Sequence, residues 1–298
     1  MDRSIHRLDD SSFQFKKIML NTLFVKYRLR MSGTYALLST EEILMVLLPA
    51  FIGAAIDGAL FGNYWPLGYL QLALLILIVA GFLRRRFDTA IYSAIYANSA
   101  IQLTNDTNIS NDERRALITH TRWLRELISF FERDVPNAVR HLFSFFGSAM
   151  MLAWYYWPLL GLALLLALLV GIITVHYAKH AERMNRLLNQ LTLKEPRLIL
   201  QSNIPGSKSN FLRERSWRIR LSNAESLTFA SLWLAATIPI GLAIYLSAKA
   251  KHPPGQIFAE LSYLLAFIGS LEGLPLLAEQ WSKMQDIVRR LESLSVKK

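Results

Sequence analysis

Asp57, Glu260, Glu272 and Glu279 lie within or at the ends of long apolar runs, and Glu132 and Asp134 stand just ahead of another. A carboxylate near a bilayer centre costs roughly 2.5–3.5 kcal/mol on insertion scales, so any that is not at an interface must face protein or a wet cavity. A carboxyl group desolvated as such a cavity closes favours its protonated form, and rehydration releases the proton. That chemistry makes Asp57, Glu260 and Glu272 candidate pathway and proton-coupling residues. On one helix Glu272 and Glu279, seven residues apart, share a face, with Glu260 about a third of a turn away. The alternative places Glu260 and Glu279 at the two interfaces and leaves Glu272 alone at depth. Gly269, Gly273 and Pro275 flank Glu272; they free backbone carbonyls and permit a kink, which makes them a candidate hinge.

Other chemical patterns carry less. His176 and His180 stand four residues apart on one helical face, a spacing that holds metals, but only Glu182 is near as a third ligand. A solvated helix end without metal is the expectation. A phosphate-binding loop needs G-x-x-x-x-G-K-[ST]; Pro205, Gly206, Ser207, Lys208 and Ser209 split the Gly-Lys pair, lack the upstream Gly and read as a loop. Arg213, Arg215, Trp217, Arg218 and Arg220 have the composition of a nucleic-acid patch. Their place between two apolar runs reads instead as a charged membrane-proximal helix, so no nucleic acid is expected. Neither a nucleophile motif nor a Ser, His and acid grouping stands out, and the chain is not expected to be an enzyme. Cysteine is absent, which removes disulfides, thiolate catalysis and Cys-based metal sites together.

The elements that must position these residues follow from composition. Of 298 residues 53% are hydrophobic and 18% charged, and the apolar ones are gathered into runs long enough to cross a bilayer. Six spans are expected, at about 35–60, 67–83, 138–156, 159–177, 227–246 and from 256 onward, the last with its exit helix reaching 291. The first run is longer than the apolar core of a signal peptide, so the amino terminus should be retained. Residues 1–30 form a basic amphipathic segment, with Phe15, Ile18, Met19 and Leu23 against Lys16, Lys17, Lys26, Arg28 and Arg30, suited to the headgroup layer. Arg84, Arg85 and Arg86 stop span two at the membrane surface, yet Phe87, Ile91, Ala94, Ile95 and Asn98 keep a helical period beyond them. The polar break NDTNISNDERR turns that helix, and residues 116–135 climb back into span three. A second charged excursion follows span four, with Pro196 and Pro205 as punctuation.

The net charge is +11, and nearly every Lys and Arg lies at the amino terminus, in the two long excursions or in the carboxyl-terminal stretch that ends in the basic tail at 292–298; of the connections on the opposite side only the last carries any, Lys249 and Lys251. The positive-inside bias puts both termini and both excursions in the cytoplasm of a cell (inner) membrane protein, with three short turns outside. Tyr64, Trp65, Tyr155, Tyr156 and Trp157 sit at those turns, where an aromatic belt belongs. Small residues at Gly53, Ala54, Ala55 and Gly58, and at Gly269, Ser270 and Gly273, allow helices to approach closely.

Four strings sit in this frame: GAAID at 53–57, RFDTAIY at 86–92, ELISFFERDVP at 126–136 and ELSYLLAFIGSLEGLP at 260–275. Together with the topology they resemble the transmembrane region of the ABC exporter class, six-span half-transporter domains that pair as dimers, across residues 31–291. The resemblance implies an all-α membrane fold: a six-helix bundle with long cytoplasmic helix extensions, dimerising around a central cavity that opens alternately to either side. It also implies that the tips of the extensions dock on nucleotide-binding domains, with Asp88, Glu132, Asp134 and Pro136 as the cytoplasmic coupling region.

Walker A, the signature loop and Walker B are missing from the 298 residues. The expectation is a transport permease, homodimeric in the lipid bilayer, that would use ATP only through a separate ATPase subunit and hold no cofactor of its own. The alternatives are an ATPase-independent, proton-coupled transporter similar to the SbmA/BacA-like peptide importers, and a non-transport membrane scaffold.

Overall fold

A computed structural model describes residues 27–104, 121, 124–200, 204–273 and 285. Residues 1–26 of the amphipathic amino-terminal segment, the NDTNISNDERR tip, Pro275 and Glu279 lie outside the described residues. Those described form five α-helices and one π-helical turn, with no strand. The helices are α1 (Arg28–Leu60), α2 (Trp65–Thr104), α3 (Val135–Leu200), α4 (Ile204–Lys249) and α5 (Pro254–Glu272). The π-turn, Phe130–Asp134, precedes α3. The fold divides into two compact units, residues 1–147 with 276–298 and residues 148–275.

In the first unit α1 and α2 form a hairpin. The four residues joining them turn on Gly62, whose φ of 74° suits a residue without Cβ. The Asn63 N–H donates to the Gly58 carbonyl at 2.8 Å. A Cβ on Gly58 would stand 2.5 Å from the Asn63 carbonyl and 3.0 Å from Pro66 Cγ, so this close approach requires glycine. Gly147 does the same for α3 against α1, since a Cβ there would fall 2.6 Å from Val46 Cγ2. Helix directions follow from partner order. Along α1, Tyr27 meets Asn98 and Glu41 meets Arg84, a descending series that makes α1 and α2 antiparallel. Tyr35 meets Phe131 and Glu42 meets Arg140, an ascending series that makes α1 parallel to the 124–140 stretch.

α2 runs on past its three arginines to Thr104, 40 residues in all, about 60 Å of helix. The helical period read beyond Arg86 has a packing reason. Ile91 and Ile95 join Tyr27, Tyr92, Leu124, Leu127 and Ile128 in a buried cluster flanked by Met31, Tyr96 and Phe131. Each such side chain contributes about 1.5–3 kcal/mol by leaving water.

In the second unit α3 is broken at Tyr156, whose φ of −159° and ψ of 95° are not helical. Pro158 follows two residues later, and having no N–H it cannot donate to the preceding turn. α4 and α5 form a hairpin joined through Lys251, at φ 59°, with the His252 N–H donating to the Ser247 carbonyl at 3.2 Å. Pro254 opens α5, where its fixed φ and missing N–H do no harm. One face of α5 is buried through Ala259, Glu260, Tyr263, Leu264, Phe267, Ile268 and Leu271, the three-to-four spacing of an amphipathic helix.

Four stretches are long and apolar enough to cross a membrane by length and composition: Arg28–Leu60, Trp65–Ile101, Leu124–Tyr177 and Pro205–Lys249. The third has 54 residues, about 80 Å of helix against a hydrocarbon core of about 30 Å, and the break at Tyr156 falls inside it. Two expectations are corrected. Pro205 to Ser209 is not a loop: it forms the first turn of α4, where a proline near a helix start fits. Pro196 does not punctuate the second excursion, because α3 continues through it to Leu200.

Candidate functional site

Two seams of polar side chains run along the first half of α1, each with a seven-residue repeat that keeps its members on one face. Tyr27, Thr34 and Glu41 face α2. The Tyr27 hydroxyl accepts from Asn98 Nδ2 at 2.7 Å, Thr34 lies in hydrogen-bond contact with Asp88, and Glu41 Oε2 accepts from Arg84 Nε at 2.6 Å. One residue further round, Tyr35 and Glu42 face the 124–140 stretch. The Tyr35 hydroxyl donates to the Phe131 carbonyl in the π-turn at 3.3 Å, and Glu42 Oε1 accepts from Arg140 Nε at 3.0 Å.

Arg84 is the centre of the first seam. It also donates through Nη1 to Asp88 Oδ2 at 3.1 Å, so one guanidinium serves two carboxylates. The side chains of Arg84, Glu41 and Asp88 are only 9%, 13% and 14% exposed, which makes the pairing a buried one. Asp88 stands past the three arginines that end the apolar run of α2. Burial is the largest influence on its carboxyl and lifts it above the ordinary aspartate range, while Arg84 pulls in the opposite direction.

The second unit holds a different arrangement. Glu260 is entirely buried on α5. Its Oε2 accepts from Ser247 Oγ at 2.5 Å and its Oε1 from Gln256 Nε2 at 2.8 Å. His252 Nδ1 is also 2.8 Å from Oε1, but off the line of a directed hydrogen bond. The His252 imidazole meets the Tyr156 ring edge-on, centroids 4.9 Å apart, so the cluster sits against the break in α3. Tyr155 packs on Tyr263 of α5 at 5.9 Å.

The candidates from sequence are thus dispersed. Asp57 is half-buried in the last turn of α1. Glu260 is enclosed by protein, whereas Glu272 is exposed as the last residue of α5. Gly273 is the buried C-cap of α5, and Gly269 is exposed with open space where a Cβ would stand. Close helix approach falls on Gly58 and Gly147, not Gly269. Asp88 belongs to the Arg84 cluster. Glu132 and Asp134 are half-buried in the π-turn and Pro136 is buried just after it, beside the carbonyl that Tyr35 reaches.

Of the three arginines that follow the apolar run of α2, Arg84 is the one turned into the protein, where Glu41 and Asp88 bond it, while Arg85 and Arg86 are exposed. Sequence reasoning passed over Glu41, Glu42, Arg140, His252, Ser247 and Gln256 as members of sites. The signal that could have found the first seam is the seven-residue spacing of Tyr27, Thr34 and Glu41.

Comparison with curated proteins finds no match. Comparison with protein families finds one over residues 20–253, which takes in both seams and everything up to the start of α5. The chain belongs to the family described as the ABC transporter transmembrane region, and is a membrane protein of apolar helices.

Proposed function

We propose that the protein is the membrane-spanning permease of an ABC-type transporter, acting as a homodimer with ATP hydrolysis supplied by a separate nucleotide-binding subunit. Family membership supports the transport reading. The observation that carries it further is that α2 and α4 are each far longer than one crossing, at 40 and 46 residues. Such helices reach well outside the bilayer, as levers that meet a motor must. On this reading α1, α2, the two parts of α3 separated at Tyr156, α4 and α5 are six spans. Their extensions are cytoplasmic, as are both termini, in a cell (inner) membrane. Asp88, Glu132, Asp134 and Pro136 lie where the extensions couple to the motor, and Asp57 and Glu272 line the pathway that Gly269, Gly273 and Pro275 hinge. An ATPase encoded separately should copurify with the protein, and cargo uptake into proteoliposomes should require both. Full, ATP-independent transport by the purified chain alone would refute this reading.

One observation favours a second, proton-coupled reading: Glu260 is a carboxyl group held wholly away from water. Under that reading a pH gradient drives uptake and Glu260→Gln abolishes the dependence. Gradient-driven uptake that is unchanged in Glu260→Gln excludes Glu260 as the coupling group.

A further inference from the structure

The Arg84 cluster has an imbalance of charge. Glu41 and Asp88 both bond the one guanidinium of Arg84, and the three side chains are each at least 86% enclosed. With both acids ionised one negative charge would stay uncompensated in that enclosure, and buried groups in this position neutralise rather than remain charged. No neighbouring cation corrects it among the described residues. Arg140 is engaged by Glu42, and Arg85 and Arg86 are exposed. The groups facing Asp88 are Thr34, Tyr35 and Glu41 from α1, and Arg84 and Tyr92 from α2 itself. From the π-turn, Glu132 adds further negative charge beside Tyr92.

Thr34 also touches Asp88. It is 4% exposed and its hydroxyl donates to the Met31 carbonyl at 2.9 Å; its contact with Asp88 favours the ionised carboxyl and acts against the larger effect of burial.

We propose that the Glu41–Arg84–Asp88 cluster is a proton-binding site, with Arg84 paired to Glu41 and the proton held on Asp88. The site is separate from Glu260 and does not depend on the transport reading. Infrared difference spectra of the purified full chain, stepped from neutral to acid pH, test it without cargo or ATPase. A protonated-carboxyl band should titrate above the ordinary aspartate range. It should be lost in Asp88→Asn, and also in Glu41→Gln, which frees Arg84 to hold Asp88 ionised. Glu272→Gln should keep it.

Thermal unfolding gives an independent reading. A carboxyl protonated more readily in the folded than in the unfolded chain loses stabilisation as pH rises through its folded titration. The parent should therefore lose melting temperature with rising pH over that window. Asp88→Asn should show a flatter profile and melt no lower than the parent at neutral pH. A spectrum without an Asp88-dependent band, or Asp88→Asn melting several degrees lower at neutral pH while the parent gains stability with rising pH, would establish an ionised structural pair and overturn the proposal.

Discussion

The two buried polar centres are built in opposite ways. In the first unit the partners are far apart in sequence: Glu41 and Arg84 are separated by 43 residues, Glu42 and Arg140 by 98. In the second unit Glu260 takes its donors from within 13 residues, across one hairpin and along its own helix. The first centre therefore exists only when three helical stretches are in register, whereas the second is completed once α4 and α5 fold back on each other. A long-range cluster that fails takes helix packing with it; a local cluster that fails leaves its hairpin joined by a short turn. The first should be the more costly to break and the more sensitive to movement between helices.

The largest effect expected is for Arg84→Ala. It leaves Glu41 and Asp88 enclosed without their cation, a loss of about 3–5 kcal/mol for breaking a buried pair from one side. Unfolding of the purified protein in detergent should show it. The triple variant Glu41→Gln, Arg84→Met, Asp88→Asn should recover most of that loss, because no orphaned charge remains. If Arg84→Ala melts with the parent, the cluster is not a structural centre and the contrast with the hairpin fails.

Next comes Glu260→Ala. Ser247 and Gln256 lose their acceptor inside the second unit, which costs about 1–3 kcal/mol for buried donors left unmet. Because these donors are local, Glu260→Gln should restore most of the stability by keeping an acceptor oxygen in place. A loss for Glu260→Ala as great as for Arg84→Ala would show that the hairpin is as dependent on its charge as the helix seams are.

How much of this could be read beforehand follows the same division. Helix type and the length of α2 were legible because apolar periodicity reports a local property: Ile91, Ile95 and Asn98 continue the α2 pattern beyond Arg86, and the residues around them pack accordingly. The turns at Gly62 and at Lys251 were legible as short polar interruptions with glycine or proline close by. The role of Arg84 was not. A run of three arginines after an apolar stretch reads as an interface marker, and nothing local separates the arginine that turns inward from the two that do not. That distinction is made by Glu41 on another helix and by Asp88 one turn on. Likewise proline alone was a poor guide, since Pro158 follows a break in α3 while the helix runs through Pro196.

The smallest effect expected calibrates the others. Arg218 donates through Nε and Nη2 to Glu214 Oε1 at 2.9 and 2.7 Å, a shorter and doubly bonded contact than Arg84 makes with Asp88 at the same four-residue spacing. By bond geometry alone it would rank with the buried pair. Yet the Arg218 side chain is 68% exposed, so water solvates the guanidinium with or without its partner. Glu214 is itself only 13% exposed, so the pair is half-solvated, and Arg218→Ala should cost no more than about 1 kcal/mol, the upper end for surface pairs and well short of Arg84→Ala. Raising the salt concentration should shrink the difference further, while leaving the Arg84→Ala loss nearly intact, because screening acts on charges that water reaches. Equal salt sensitivity in the two variants would mean that water enters the Arg84 cluster, and the separation between an enclosed seam and a solvated helix face would have to be abandoned.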